Sequence, residues 1–247
     1  MKTRGNSILS AAVLLIAVFF ISCTTQREQE ADSSDGPQVF TEAMQDTLKP
    51  VEALKRLQSG NDRFVEGDLK YKDYRKQFEE TAKGQFPHST VFTCIDSRSA
   101  AEQFFDVGIG EIFNIRIAGN VLSDDVLGSM EFATKVAGSK VLAVVGHSSC
   151  GAVKGAIDNA ELGNLTGLVD KIEPAMEQIP DTLGPRNSSN ATFVDAVTRQ
   201  HVRNMINEIL SKSPVIKEQV DAGEIMLVGG MHNLLTGEVT FFENGES

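Results

Sequence analysis

The chain has 247 residues, 41% hydrophobic and 23% charged. These values suit a soluble globular protein and exclude a largely disordered chain or a polytopic membrane protein. Its 23 Lys and Arg against 34 Asp and Glu give a net charge of −11, which argues against a general nucleic-acid binder, and three cysteines are too few for a disulfide scaffold at this length.

The first 22 residues read as an address. Lys2 and Arg4 precede a nearly unbroken apolar run at 8–22. That run is shorter than the ~20 residues a spanning helix needs, and the pattern predicts a signal peptide. Ser22-Cys23 at its end resembles the lipobox of bacterial lipoproteins, with Phe20 where that motif prefers Leu. The resemblance implies cleavage before Cys23, a lipid on Cys23, and a protein held to the bacterial cell envelope, facing the periplasm or the exterior. An uncleaved anchor or an ordinary secretory signal is the alternative. Residues 23–47 are polar and acidic and read as a flexible tether. Loss of Lys2 and Arg4 takes the net charge from −11 to −13, so the lipid rather than surface charge must do the anchoring.

Residues 48–247 read as one α/β domain. Val51, Leu54, Leu57 and Phe64 have helical spacing over 51–64, with Gly60 expected to weaken that helix or end its first part. Short apolar strands are predicted at 90–95 and 112–117, a helix over 126–138, and a strand at 141–146 that is apolar throughout, as parallel strands buried on both faces are. A tight turn then opens a helix. Prolines 174, 180 and 185 break up residues 159–190. A long helix is predicted over 193–213, closed by Pro214. Strands at 225–230 and 238–243 finish the chain around a turn near Thr236-Gly237. The alternation predicts a parallel-rich central sheet flanked by helices.

Two segments carry chemistry, each directly after a predicted strand, where parallel α/β sheets place their sites. The first is Cys94-Ile95-Asp96-Ser97-Arg98. The second is Gly146-His147-Ser148-Ser149-Cys150-Gly151. Cys94, His147 and Cys150 supply two thiolates and an imidazole, a set that suits Zn²⁺ and leaves one position open for catalysis. Cys150 is expected at a helix start, where the dipole favours thiolate. The structural alternative for each cysteine is a small buried hydrophobe. A Cys94–Cys150 disulfide in an oxidising compartment is a further one, exclusive of metal binding.

These paired loops resemble those of the β-class carbonic anhydrases. Gly60-Asn61-x-Arg63-Phe64, Arg116-x-Ala118-Gly119-Asn120 and Gly128-Ser129-x-Glu131 add to the likeness, which covers about residues 50–243. It implies one zinc per chain on Cys94, His147 and Cys150, and a homodimer often paired into a tetramer. The implied reaction is reversible hydration of CO₂ to bicarbonate and a proton by a zinc-bound hydroxide, oriented by an Asp96/Arg98 dyad. Two thiolates cancel the formal charge of the ion, so such a site acidifies water less than a three-histidine one; Arg98 keeping Asp96 ionised is the expected help. Asp96 also serves as fourth zinc ligand in the family's closed form. The resemblance implies that Gln85 binds a substrate oxygen across the dimer interface, with the Gly151 N–H doing similar oxyanion work. Phe113 and Phe132 line a CO₂ pocket or simply pack the core. Departures from the family pattern are Ser99 where Val is usual, Ile117 where Asn is common, and His232-Asn233 where Tyr-Asp is frequent. His88, His201 and His232 have no partner at metal spacing and read as surface or structural. Two other functions stay open: hydrolysis of a CO₂ analogue such as carbon disulfide, and a non-catalytic zinc-binding lipoprotein.

Overall fold

A computed structural model describes residues 39–70 and 72–242. The first element, α1 (Glu42–Thr47), is capped by the Thr41 side chain. Its buried Gln45 donates through Nε2 to the carbonyls of Pro87 and Ala137 at 2.8 and 2.9 Å, and Phe40 just before it is 3% exposed. The flexible tether expected through residue 47 therefore ends too late. An aromatic ring in the core and an amide with two acceptors outweigh the entropy of ordering this short segment. Residues 1–38, with the expected signal peptide, Cys23 and most of the tether, lie outside the described residues.

Next comes α2 (Pro50–Glu66), which runs unbroken through Gly60. The sequence expectation of a weak point there is corrected by a packing fact. A Cβ on Gly60 would lie 1.8 Å from the Phe105 carbonyl oxygen, so glycine is needed for contact between α2 and the chain crossing it. Gly60→Ala is expected to destabilise the domain by about 3 kcal/mol, the upper range for overpacking. A urea midpoint unchanged from wild type would count against this close approach.

The helix α3 (Tyr74–Thr81), not predicted from sequence, is followed by β1 (Ser89–Thr93), α4 (Ala101–Phe104) and β2 (Ile112–Arg116). A short 3₁₀ turn at 118–120 leads to α5 (Asp124–Glu131), which continues as a π-helical turn to Val136. Then come β3 (Val141–His147), α6 (Gly151–Ile157), α7 (Asn164–Val169), α8 (Glu173–Glu177) and the long α9 (Ala191–Lys212). Pro214 closes α9 as expected but also opens α10 (Pro214–Asp221), where its missing N–H costs nothing and the Ser213 side chain caps Ile216. The chain ends with β4 (Met226–His232) and β5 (Val239–Phe242).

The strands form one sheet in the order β2-β1-β3-β4-β5. The first four are parallel and β5 runs antiparallel to β4. This is the expected parallel-rich sheet. One face packs on α5, α9 and α10 through Met130, Leu142, Val144, Val202, Ile206 and Ile216. The other packs on α2 and α4 through Leu57, Phe104, Phe105, Val91 and Val145. Alternate residues of β1 and β3 thus enter opposite cores, which explains their unbroken apolar sequences. Because β1 and β3 are neighbours at the centre, the residues following each emerge side by side at the carboxyl edge.

Candidate metal centre

Cys94 is the first residue after β1, His147 the last of β3, and Cys150 the N-cap of α6. Their ligand atoms all lie within 4.8 Å of one another, and all three residues are buried. The turn from His147 to Cys150 needs Ser149 at φ 54, a costly conformation for a non-glycine residue. It is held by the Ser149 N–H donating to Asp195 of α9 at 3.3 Å.

The donor set suits a cation. His147 Nδ1 faces the Ser148 carbonyl at 2.9 Å, which puts its proton there and leaves the Nε2 lone pair free. Nε2 is buried without a hydrogen-bond partner, a costly state that a bound metal ion would relieve. The Cys94 thiol is pulled down to about 4, first by the Cys150 thiol, then by His147 and the Gly119 and Asp96 N–H groups, against burial. The Cys150 thiol is pushed up, first by the Cys94 sulfur and then by burial, while the Ala152 and Val153 amides of α6 pull the other way. Two buried sulfurs this close ionise together only with a cation between them. Both cysteines are free, not joined as a disulfide.

Asp96 and Arg98 stand at the mouth of the cluster. The guanidinium grips the carboxylate with Nε to Oδ1 at 2.9 Å and Nη2 to Oδ2 at 2.8 Å. The Arg98 backbone N–H adds 3.0 Å to Oδ1. The Arg98 hydrogen bond is the main reason Asp96 is held well below the usual carboxylate range. Asp96 Oδ2 lies 4.0 Å from His147 Nε2, near the Cys94–His147–Cys150 cluster yet paired with Arg98.

Other parts of the centre carried no assigned role in the sequence reading. Arg116, at the end of β2, donates to the Cys94 carbonyl at 3.0 Å and the Asp96 carbonyl at 2.5 Å. Gly119 N–H approaches Cys94 Sγ at 3.4 Å. Asn120 Nδ2 bridges the carbonyls of Phe92 and Val145 at 2.8 and 3.1 Å, tying together the strand ends that carry the ligands. Gly119 and Asn120 both have positive φ, 65 and 55. Their place in a motif was the sequence signal; their contacts were not readable from spacing.

Gln85 is not brought to its own chain's cluster. It is exposed, before β1, with its Cβ beside Gly110 ahead of β2, at the opposite edge of the sheet. Gly151 opens α6 next to Cys150. Phe113 and Phe132 meet edge to face at 6.3 Å and line a pocket of about 450 Å³ with Asn114, Ile115, Asp124 and Gly128. Cys94, His147 and Cys150 are not among its lining residues. His88, His201 and His232 are all buried, so their structural reading holds and the surface one does not.

The carbonic anhydrase family model matches residues 89–239, the stretch that holds Cys94, Asp96, Arg98, His147 and Cys150. The chain belongs to the carbonic anhydrase family. Carbonic anhydrase 2 of Mycobacterium tuberculosis is 36% identical over 197 residues, covering 76% of this chain and 90% of that relative. Among solved structures, the β-carbonic anhydrase CafA of Aspergillus fumigatus superposes with a TM-score of 0.63 at 21% identity, covering 80% of this chain and 92% of that one. A tetrameric β-carbonic anhydrase of Sordaria macrospora gives 0.58 at 21% identity, covering 67% and 85%. The fold is therefore that of β-class carbonic anhydrases, and the chain is a member of an enzyme family.

Proposed function

We propose that the chain is a zinc-dependent enzyme of the cell envelope that interconverts CO₂ and bicarbonate as a dimer or tetramer. The observation that carries this is the meeting of Cys94, His147 and Cys150, with an orphaned His147 Nε2, beside a carboxylate already clamped by arginine. Cys94, His147 and Cys150 would hold the ion, one per chain. When bound, zinc supplies an acidified water as nucleophile near neutral pH. Asp96, kept ionised by Arg98, accepts a hydrogen bond from the attacking water and turns its lone pair toward CO₂. The Gly151 N–H donates to the oxygen that gains negative charge. The proton leaves to solvent and bicarbonate departs.

Gln85 serves the site of a second copy, because its place at the far edge of the sheet keeps it from its own. The outer edge of β2, unpaired among the described residues, with the exposed Phe132 nearby, supports pairing on that side. For the anchor, the support is the positive start, the apolar run and Ser22-Cys23; Cys23 would carry the lipid and the domain would face the periplasm or the exterior.

The test is stopped-flow CO₂ hydration on the full-length chain, with zinc measured on the same sample and fatty-acid labelling with and without Cys23→Ala. One zinc per chain, hydration activity and label lost with Cys23 are expected. One zinc per chain with no hydration from about pH 6 to 9, the range that brackets ionisation of zinc-bound water, would refute the catalytic reading. Equal label in Cys23→Ala would refute the anchor.

A further inference from the structure

Two positions that depart from the family pattern meet in the fold. Ser99, just past the dyad, lies with its Oγ 3.4 Å from Nδ1 of His232 on β4. They are far apart in sequence, and both are buried, at 2% and 3% exposure. His232 is held from several sides. It pairs in register with His147 on β3, its carbonyl accepts the Ser148 N–H at 2.9 Å, and its ring stacks on Phe104 with centroids 4.3 Å apart.

Ser99 is also the closing residue of the dyad turn. Its N–H donates to the Asp96 carbonyl at 2.9 Å, inside the span where Arg98 N–H and guanidinium grip the Asp96 carboxylate. Arg116 holds the start of this turn at the Asp96 carbonyl; the Ser99 hydroxyl holds its end against β4. A carboxylate 4.0 Å from His147 Nε2 keeps a useful line to the reacting water only while this turn stays put. Displacement of a catalytic group by about 1 Å can cost 10²-fold in rate.

We propose that Ser99 and His232 form one positioning unit that fixes the Asp96–Arg98 turn through the Oγ–Nδ1 hydrogen bond. The role in rate rests on the carbonic anhydrase reading above; the role in holding the turn does not. Neither residue touches the reacting atoms, so both are positioning residues.

The experiment uses the full-length chain and five variants. Ser99→Ala removes the hydroxyl. His232→Phe removes Nδ1 while keeping the ring on Phe104. Ser99→Thr keeps a hydroxyl, and His232→Asn sets a polar amide atom where Nδ1 stood. The fifth combines Ser99→Ala with His232→Phe. Each is assayed for zinc, for kcat and KM, and for amide hydrogen exchange of residues 95–99. Ser99→Ala and His232→Phe are each expected to lower kcat about tenfold with KM and zinc unchanged. Both should speed exchange of the turn amides, and the double variant should be no worse than either single one. His232→Asn and Ser99→Thr should restore both readouts to within twofold of wild type. The proposal is overturned if Ser99→Ala leaves turn exchange unchanged, if the two losses multiply in the double variant, or if His232→Asn is as damaging as His232→Phe. Zinc-loaded wild-type chain without hydration activity would instead sink the reaction assigned above, and the exchange measurement would still decide the positioning role.

Discussion

Replacing Asp96 by asparagine is expected to lower kcat for CO₂ hydration by about 10²–10³-fold, in the range lost when a positioned acid–base group is removed, with zinc remaining at one per chain. The separation follows from geometry. The three atoms placed to hold a metal ion are those of Cys94, His147 and Cys150, and the Asp96 carboxylate is engaged by Arg98 through two side-chain bonds. Removing its charge therefore leaves the donor set intact, breaks one of the two Arg98 side-chain bonds and, on the proposed mechanism, takes away the acceptor that orients the water. The amide keeps the shape of the carboxylate, so the turn at 96–99 keeps its backbone bonds. KM should change little, because an interaction made chiefly in the transition state is lost. If Asp96 were instead a standing metal ligand, zinc content would fall along with rate. Paired stopped-flow and metal analysis on Asp96→Asn separates these, and a kcat within twofold of wild type would remove Asp96 from the mechanism.

The sequence made the site legible because its parts are local. Each chemical loop follows a strand whose run of apolar residues announces burial on both faces, and parallel strands deliver such loops to one edge. Val141–Val145 and Val91–Phe92 show this directly. What sequence did not show depends on distant contacts. Gly60 reads as a helix breaker until the Phe105 carbonyl is seen against it. Gln45 reads as tether until its amide meets Pro87 and Ala137. Gln85 matches a motif by spacing, yet four residues of chain before β1 put it at the wrong edge for its own cluster. Short α3 and α10 offer few apolar residues to announce them; the local signals are the caps Asp73 and Ser213 and, for α10, Pro214 at its start. Ser99 and His232 each read as an isolated departure, because nothing in a linear chain says that β4 ends beside the dyad turn.

The second large effect is acid lability. Folding stability is expected to fall by about 4 kcal/mol per pH unit near pH 5, from about 1.4 kcal/mol per unit for each of three buried histidines. His88 is lowered to about 3, first by burial and then by Arg56. His201 and His232 are each lowered to about 4, first by burial. In the unfolded chain all three return to the ordinary 6.5. The sign follows from proton counting. Above 6.5 neither state binds these protons and the full stability is present. Between 6.5 and about 4 only the unfolded chain binds them, so each step down in pH favours unfolding. The loss from pH 7 to 5 then approaches the whole stability of an ordinary domain. Metal release adds to it, since protonated ligands let a bound metal go, but that part depends on free zinc concentration and the part from His88 and His201 does not. Urea unfolding at pH 7, 6 and 5 in two fixed zinc concentrations separates the two. His201→Asn, away from the metal ligands in sequence, should flatten the slope by about 1.4 kcal/mol per pH unit, the share of one histidine. A stability that is level between pH 7 and 5 at saturating zinc would show that these imidazoles take up protons in the folded protein after all.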